Sequence, residues 1–317
     1  MKYHIIKQKN GKTVITKSET LDLSGDSKGL FWVDCHFKNA QDLSEIKNQF
    51  NLHPLEIEDA TNGKQQPVYN VYDNHLSLVI KSIDYENGLK WRHTLIILGK
   101  NYVLTLHKHE LPAIKKIFSE IEKGGDGCMK NSADFLLYYI LDHVVERYFP
   151  VLDAIEDRIE SVEENAIKKT GKKVVKDIFK TKKELLLFRK AVWPARDIFA
   201  ALQRTEGFIQ KKNHVYFRDL YDHVSQIIDL IGTYRDLLSG ALELHMSNVS
   251  NAMNEIMKIL TIVASLMMIP TLIAGIYGMN YELIPSQSWP YSFHFAISLM
   301  LLAMAGMLLY FRRKNWL

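Results

Sequence analysis

The feature that most constrains this chain is a stretch without charge near its C-terminus. Residues 259–281 contain no Asp, Glu, Lys or Arg, and Lys258 and Glu282 bound them. A helix needs about 20 predominantly apolar residues to cross the hydrocarbon core of a bilayer. A second such stretch covers residues 283–311. We therefore predict two membrane spans joined by a short turn, with nearly all other residues on one side of the membrane.

The rest of the chain has the composition of a water-soluble protein. Most of its charged residues precede position 250, and the net charge of +4 is too small to indicate a nucleic-acid partner. No apolar signal-peptide core is visible in the first 13 residues, so the soluble part is expected to stay in the cytoplasm. Cys35 and Cys128 lack the spacing of a redox or zinc motif and are expected to be reduced.

Flanking charges predict the orientation of the two spans. Lys258 precedes the first span, and Arg312, Arg313 and Lys314 follow the second. Lys and Arg are retained on the cytoplasmic side of a membrane. Both termini should therefore be cytoplasmic, in a multi-pass protein of the inner or plasma membrane, with residues 280–290 outside.

Residues 1–132 have the pattern of a cytosolic α/β domain. Short runs rich in β-branched and aromatic residues predict strands, and Asn10-Gly11 predicts a hairpin turn between the first two. Helices are predicted at residues 42–50, 54–60 and 111–122. The predicted strands cover residues 3–6, 13–16, 30–37, 76–83, 94–98 and 102–106.

Long helices follow the α/β domain. Residues 133–206 predict an antiparallel hairpin, in which an acidic helix over 133–166 and a basic helix over 174–204 pair their own charges. Residues 207–281 predict a stalk helix of roughly 80 Å that continues into the first span. Such a rod cannot bury its own apolar stripe, which favours an oligomer. An outer loop (282–290), the second span (291–311) and a basic tail (312–317) complete the chain.

One face of the first span carries small, polar or flexible residues at steps of three and four, the period of a left-handed bundle. This face could line water or could simply pack helices together, and the pattern alone leaves a receptor anchor open as well. The residues of this face are Asn254, Met257, Thr261, Ala264, Met268, Thr271 and Gly275.

The sequence at the end of the first span favours one of these alternatives. Residues 277–280 read Tyr-Gly-Met-Asn, within the longer run Pro-Thr-Leu-Ile-Ala-Gly-Ile-Tyr-Gly-Met-Asn. With two C-terminal spans and a basic end, this stretch resembles the CorA family of magnesium channels. The upstream runs His-Pro-Leu-Glu-Ile-Glu-Asp (53–59) and Tyr-Phe-Arg-Asp-Leu-Tyr-Asp-His (216–223) extend the resemblance over nearly the whole chain. It implies a homopentameric funnel in the lipid bilayer.

The resemblance also implies a role for each polar or flexible residue of the pore. Asn280 would form the entrance selectivity ring, helped by the carbonyls of Gly278 and Met279, because neutral oxygens can bind hydrated Mg²⁺ and release it. Thr271 would form a second polar ring, and Asn254 a ring near the cytoplasmic end. Apolar constrictions would be formed by Met268, Leu260 and Met257, with either Leu260 or Thr261 facing the pore.

Cytosolic carboxylates are the expected regulatory metal site. By motif these are Asp59 and Asp219, with Glu58 and Asp142 as weaker candidates; facing each other across a subunit interface, they would repel unless Mg²⁺ neutralised them. Without the family, Asp59 and Asp219 would be ordinary surface acids. The family often has an acid after the outer-loop Pro, where this chain has Ser286, so the preference for Mg²⁺ over Co²⁺ or Ni²⁺ is less secure.

We therefore expect a passive magnesium channel and not an enzyme, since no phosphate-binding loop, dinucleotide fingerprint or nucleophile elbow is present. Two alternatives remain open. The chain could transport another divalent metal, such as cobalt, nickel or zinc, or it could be a membrane-anchored sensor that conducts nothing.

Overall fold

The computed structural model describes residues 2–9, 12–21, 29–63, 66–84, 89–279 and 289–316. The chain divides into two compact units. The first contains Met1–Glu164 and Val175–Ala241, and the second contains Asn165–Val174 and Leu242–Leu317.

The first unit is built on a mixed seven-stranded sheet with the order β2-β1-β3-β7-β6-β5-β4. Only β3 and β7 pair in parallel, and all other neighbours are antiparallel. The strands are β1 (Lys2–Lys9), β2 (Lys12–Ser18), β3 (Phe31–His36), β4 (Val68–Val71), β5 (His75–Asp84), β6 (Lys90–Gly99) and β7 (Tyr102–His107).

Eight α-helices accompany the sheet in the described residues. They are α1 (Ser44–Phe50), α2 (Pro54–Thr61), α3 (Pro112–Glu122), α4 (Ala133–Glu146), α5 (Phe149–Lys168), α6 (Lys172–Leu202), α7 (His214–Tyr277) and α8 (Ser292–Arg313). A 3-10 turn, Ala40–Leu43, occupies the start of the predicted first helix.

Both faces of the sheet are covered, which explains why its central strands are continuous apolar runs rather than alternating ones. One face contributes Val33, Cys35 and Leu104 to a core that includes Ile46 of α1 and Ala60 of α2. The other face contacts α4, which packs on β5, β6 and β7 and on α3. Cys35 and Cys128 are both free and buried.

The predicted strands and the helices at 54–60 and 111–122 are confirmed, but the single acidic helix over 133–166 is wrong. The structure ends α4 at Glu146 and begins α5 at Phe149. Pro150 explains the break, because it has no amide to donate and its ring clashes with the carbonyl four residues earlier, that of Glu146. Tyr148 lies in the gap, fully buried, with its hydroxyl donating to the carbonyl of Lys81.

The edge strand β4 was not predicted. Its four residues follow Pro67 and are half-buried or exposed, so the run carries little apolar signal. At the opposite edge, Lys9 pairs with Lys12, and the predicted turn residues Asn10 and Gly11 lie outside the described residues.

The predicted basic helix is confirmed as α6, which continues through Pro194. A salt bridge joins α6 to α5, but its polarity is the reverse of the expected one, because the base, Arg158, lies on the acidic helix and the acid, Glu184, on the basic helix. Tyr234 of α7 donates to Glu156 of α5 at 2.7 Å, which ties the stalk to the same acidic helix.

The second unit contains the C-terminal part of α7, α8 and the turn between α5 and α6. Among the helices of the described residues, α7 and α8 are long and apolar enough to cross a membrane. The predicted long helix is confirmed, since α7 is unbroken over 64 residues and contains Pro270. Asn248 donates to the carbonyls of Ala166 and Ile167 at 3.0 and 3.1 Å, and thereby caps the C-terminal end of α5.

A buried charged network crosses the parallel pair at the centre of the sheet. Thr105 Oγ1 donates to Asp34 Oδ1 at 2.5 Å, and His107 Nε2 lies 2.8 Å from the same oxygen. The other ring nitrogen of His107 lies 2.8 Å from the carbonyl of His109. Both partners of the His107 ring can only accept, so both nitrogens must donate and the ring is an imidazolium.

Asp34 and His107 each stabilise the charged form of the other. Burial alone would lower the pKa of His107, but the Asp34 carboxylate and its hydrogen bond raise that pKa overall. Burial alone would raise the pKa of Asp34, but His107 lowers it far below the ordinary value. The stability from His107 is complete below pH about 6.5 and is lost as the pH rises through its raised pKa. The stability from Asp34 is complete above pH about 4 and is lost only in strong acid.

We predict that Asp34→Asn lowers the free energy of unfolding by about 3–5 kcal/mol, because it leaves His107 buried without a counter-charge. Thermal unfolding of the purified chain in detergent should show the largest deficit between pH about 4 and 6.5, shrinking in alkali. Asp157→Asn, at an exposed site on α5, is the control and should change little. An equal deficit for the two variants would contradict the buried pair.

Candidate ion pathway and metal site

The cytoplasmic end of the first predicted span is exposed within one chain. All nine residues from Met253 to Thr261 are exposed, and Ile256, Ile259 and Leu260 are each about 60 % exposed or more. Large apolar side chains cost free energy when they face water. This segment therefore needs lipid or other copies of itself as a partner.

Further along α7, covered and uncovered residues separate onto different faces. Ile262 is buried, and the half-buried Leu266, Ile269 and Ile273 follow it at steps of three and four. The second face, here called the uncovered strip, is exposed along its whole length. It comprises Asn254, Met257, Leu260, Thr261, Ala264, Met268, Thr271 and Gly275.

The two threonines of the uncovered strip are oriented by the helix itself. Thr261 Oγ1 donates to the carbonyl of Met257 and Thr271 Oγ1 to that of Met267, each at 2.7 Å. Because the hydroxyl hydrogen is used in the helix, the oxygen lone pairs face outward as acceptors. A strip with outward acceptors and no charge suits a hydrated cation better than it suits hydrocarbon.

Apolar side chains separate these polar positions. Met257, Leu260 and Met268 are 54 %, 59 % and 70 % exposed, so each projects from the helix. Leu260 and Thr261, at adjacent positions of the helix, are both exposed. Thioether and branched alkyl groups would make any narrow path between copies of α7 apolar at these levels.

The signature residues lie at the end of α7. Gly278 donates from its amide to Ala274 at 2.9 Å, and Met279 donates to Ile276 at 3.2 Å. Gly278 does not have a positive φ; its constraint is space, since an added Cβ would lie 3.2 Å from the carbonyl oxygen of Ala274. Asn280, Glu282 and Ser286 lie outside the described residues.

Two of the predicted acids meet in the first unit. The ligand atoms of Asp142 on α4 and of Asp219 and His223 on α7 all lie within 4.8 Å of one another. His223 Nε2 is 3.9 Å from Asp219 Oδ1, and its buried Nδ1 makes no hydrogen bond with the described residues. Opposite ligands of Mg²⁺ are about 4.2 Å apart. Small side-chain shifts would therefore let the three share one cation.

The electrostatics of this cluster favour a cation. Burial, and then the carboxylate of Glu146, raise the pKa of Asp142, and Asp219 adds to the effect. A carboxyl whose pKa is raised by neighbouring carboxylates is stabilised in its charged form when a cation binds beside it. Two carboxylates suit Mg²⁺, whereas the imidazole of His223 suits Co²⁺ or Ni²⁺.

Sequence reasoning overlooked His223 as a ligand. The signal was present, because His223 follows Asp219 by four residues and this spacing places both side chains on one face of a helix. The helix break at Pro150, which determines where α4 ends, was also missed, so Asp142 could not be placed beside α7 in advance.

The other two predicted acids, Asp59 and Glu58, lie on α2 and not in this cluster. Asp59 is half-buried and Glu58 is exposed, and both lie near the C-terminal end of α2. Burial, and then the carboxylates of Glu58 and Glu56, raise the pKa of Asp59. Acids at this end of a helix oppose its dipole, so this pair is also unfavourable without a cation. Within the described part of one chain, neither acid joins a group of three metal ligands.

Comparisons with known proteins cover the whole chain. A family model described as CorA-like Mg²⁺ transporter protein matches residues 27–313. The cobalt/magnesium transport protein CorA of Thermotoga maritima is 34 % identical over 322 aligned residues, which cover 100 % of this chain and 91 % of that protein. The protein of the same name from Methanocaldococcus jannaschii is 27 % identical and is covered to 98 %, as is this chain.

The fold agrees with these matches. The complete structure of the CorA magnesium transporter from Methanocaldococcus jannaschii superposes with a TM-score of 0.87 at 25 % identity, covering 99 % of this chain and 98 % of that one. The sheet, the long helices and both candidate spans are thus part of one shared architecture. The chain belongs to the CorA-like Mg²⁺ transporter protein family.

Proposed function

We propose that this chain is one subunit of a homo-oligomeric channel that carries Mg²⁺ passively into the cytoplasm. The observation that carries the proposal is the uncovered strip of α7, which joins outward oxygen acceptors to apolar positions on a helix able to cross a membrane. The family contains cobalt and magnesium transport proteins, which supports Mg²⁺ as the cargo.

Self-association follows from what one chain leaves uncovered. Several copies of α7, set with their uncovered strips inward, would surround a path and cover the residues from Met253 to Thr261. The resemblance to the family implies five copies. The outward faces of α7 and α8 would then contact lipid, with both termini in the cytoplasm, as Lys258 and the basic tail predict.

Selection would occur at the outer mouth, where Asn280 from each copy would contribute an amide oxygen. Mg²⁺ gives up its waters reluctantly, so a ring of neutral oxygens could recognise the hydrated ion without trapping it. Thr271 and Asn254 would form further polar rings. Met268, Leu260 and Met257 would close the path by dewetting when the copies approach.

The direction of transport would follow the membrane potential. A divalent cation that enters through a potential of 100 mV, negative inside, gains about 4.6 kcal/mol. No further energy source is needed for uptake, which fits a chain that carries no nucleotide-binding motif.

Feedback would come from the acids of the first unit. Asp142, Asp219 and His223 lie close enough to hold a cation. Asp59 and Glu58 would face this cluster from a neighbouring copy. When internal Mg²⁺ falls, unneutralised carboxylates would repel and loosen the contact between copies, and the path would open.

A transporter of Co²⁺ or Ni²⁺ is the second candidate, and the imidazole of His223 beside two carboxylates is the observation that favours it. Competition among Mg²⁺, Co²⁺, Ni²⁺ and Zn²⁺ in one flux assay separates it from a magnesium channel. A sensor that conducts nothing would give no flux with any ion.

We predict that Asn280→Ala abolishes Mg²⁺ entry into proteoliposomes loaded with a magnesium dye, because the ring that recognises the hydrated ion is lost. The oligomer should still assemble, as judged by its mass in detergent. Asn74→Ala, at an exposed turn, is the control and should conduct normally. Normal flux through the Asn280 variant would contradict the selectivity ring.

We also predict that Mg²⁺ protects the chain from protease and that Asp219→Ala raises the protecting concentration by about tenfold or more, since a charged ligand is removed. Protection should weaken on mild acidification, because the raised pKa of Asp142 makes this carboxyl take up a proton before ordinary aspartates do. Asp222→Ala, one turn along the same helix, is the matched control.

An Asp59→Ala variant adds a second arm to this experiment. Asp59 is not part of the cluster within one chain, so a loss of protection would place it across a contact between copies. Unchanged protection in the Asp219 variant would contradict the metal site.

A further inference from the structure

We infer that the tip of the α5–α6 hairpin is a docking surface for anionic phospholipid headgroups of the cytoplasmic leaflet. The hairpin tip is defined here as Asn165–Val174, the part of the hairpin that belongs to the second unit. The inference rests on the membrane placement of the two spans in the proposed function, and not on conduction.

The first observation is the charge of the hairpin tip. Lys168, Lys169, Lys172 and Lys173 are all exposed, and no Asp or Glu occurs between Glu164 and Asp177. The four lysines lie within six consecutive residues, so positive charge is concentrated at the tip. Ile167 lies beside these lysines and is 62 % exposed. Lysines around an exposed apolar side chain are typical of segments that bind at a membrane surface.

The second observation is where the hairpin tip is held. Asn248 binds the carbonyls of Ala166 and Ile167, ten residues before Lys258 at the start of the first span. A cavity of about 770 Å³ is lined by Ile167 and Thr170 of the tip together with Lys258 and Thr261 of α7 and Trp316 of the tail. The tip thus lies at the level where α7 enters the membrane.

Residues at the same level have the character of a membrane interface. Trp316 stacks on Phe311 with ring centroids 5.7 Å apart, and tryptophan is enriched where chains meet headgroups. Arg312, Arg313 and Lys314 end the second span beside it. The lysines of the hairpin tip would add to this positive charge at the headgroup layer. Such charges act over a Debye length of about 8 Å at physiological salt.

Helix stability does not account for all four lysines. Lys168 is the last residue of α5 and Lys169 follows it, at a helix end where positive charge is favourable. Lys172 and Lys173 open α6, whose first turn has no acid, and there the helix dipole opposes them. An anionic surface facing the tip would offset the unfavourable interaction of Lys172 and Lys173 with the helix dipole. The phosphate groups of lipid headgroups form such a surface.

The test is lysine labelling of the wild-type chain in nanodiscs, with one set of discs made of phosphatidylcholine and another containing about one-third phosphatidylglycerol. Modification of Lys168, Lys169, Lys172 and Lys173 by a water-soluble amine reagent should fall at least threefold in the anionic discs and recover in 1 M salt, where screening shortens to about 3 Å. The exposed Lys176, Lys180, Lys183 and Lys190 of α6 are internal controls and should not change.

Equal labelling of the tip in both kinds of disc would overturn the inference. Protection by soluble glycerol phosphate in phosphatidylcholine discs would also overturn it, because the ligand would then be a free phosphate. The four-fold Lys→Gln variant of the hairpin tip should retain fewer phosphatidylglycerol molecules by native mass spectrometry than the same change at the four control lysines. None of these outcomes depends on magnesium flux, so a failure here leaves the channel proposal untouched.

Discussion

The structure depends on a helix that one chain cannot cover. The 64 residues of α7 begin in the folded α/β unit and continue into a segment where nine consecutive residues are exposed. Burial of apolar surface is the dominant favourable term in folding, so this exposure cannot be the finished state. Lipid can cover the apolar faces, but a strip with outward threonine oxygens gains more from water and from copies of itself. The exposed part of α7 would thus account for three properties: placement in a membrane, assembly of several copies and an ion path between them.

The same argument holds for the acidic side chains, whose charges are not balanced within one chain. Asp142 and Asp219 are crowded together, and Asp59 and Glu58 lie at the unfavourable end of α2. Inside the sheet, by contrast, the carboxylate of Asp34 is neutralised by the imidazolium of His107. Beside Asp142 and Asp219 lies the imidazole of His223, 3.9 Å from Asp219, and one such ring cannot balance two carboxylates. We propose that a divalent ion supplies the missing charge, which would make the state of the protein depend on ion concentration.

Much of this could be predicted from the sequence, because its strongest signals are local. Absence of charge predicted both spans, and short runs rich in β-branched and aromatic residues predicted six strands. The matched family confirms the expected CorA-like fold and the expectation that the chain is not an enzyme. What was missed depended on tertiary contacts or on one residue. Pro150 broke a helix that periodicity alone joined, β4 was too short to carry a pattern, and His223 became a candidate ligand only when α4 was seen beside α7. The role of Gly278 needed the carbonyl of Ala274 to be located.

If the uncovered strip of α7 lines the conducting path, single cysteines placed along it should be reached by reagents that enter the path. The native Cys35 and Cys128 are buried, so background reaction should be low. Single cysteines at Ala264, Met268 and Thr271 would be compared with single cysteines on the covered face at Ile262, Leu266 and Ile273. A membrane-impermeant, positively charged thiol reagent would be applied during Mg²⁺ flux into proteoliposomes. Flux should be blocked at the first three positions and little changed at the other three. Equal effects on both faces, or undiminished flux through strip variants that are fully labelled, would contradict the lining of the path by this strip.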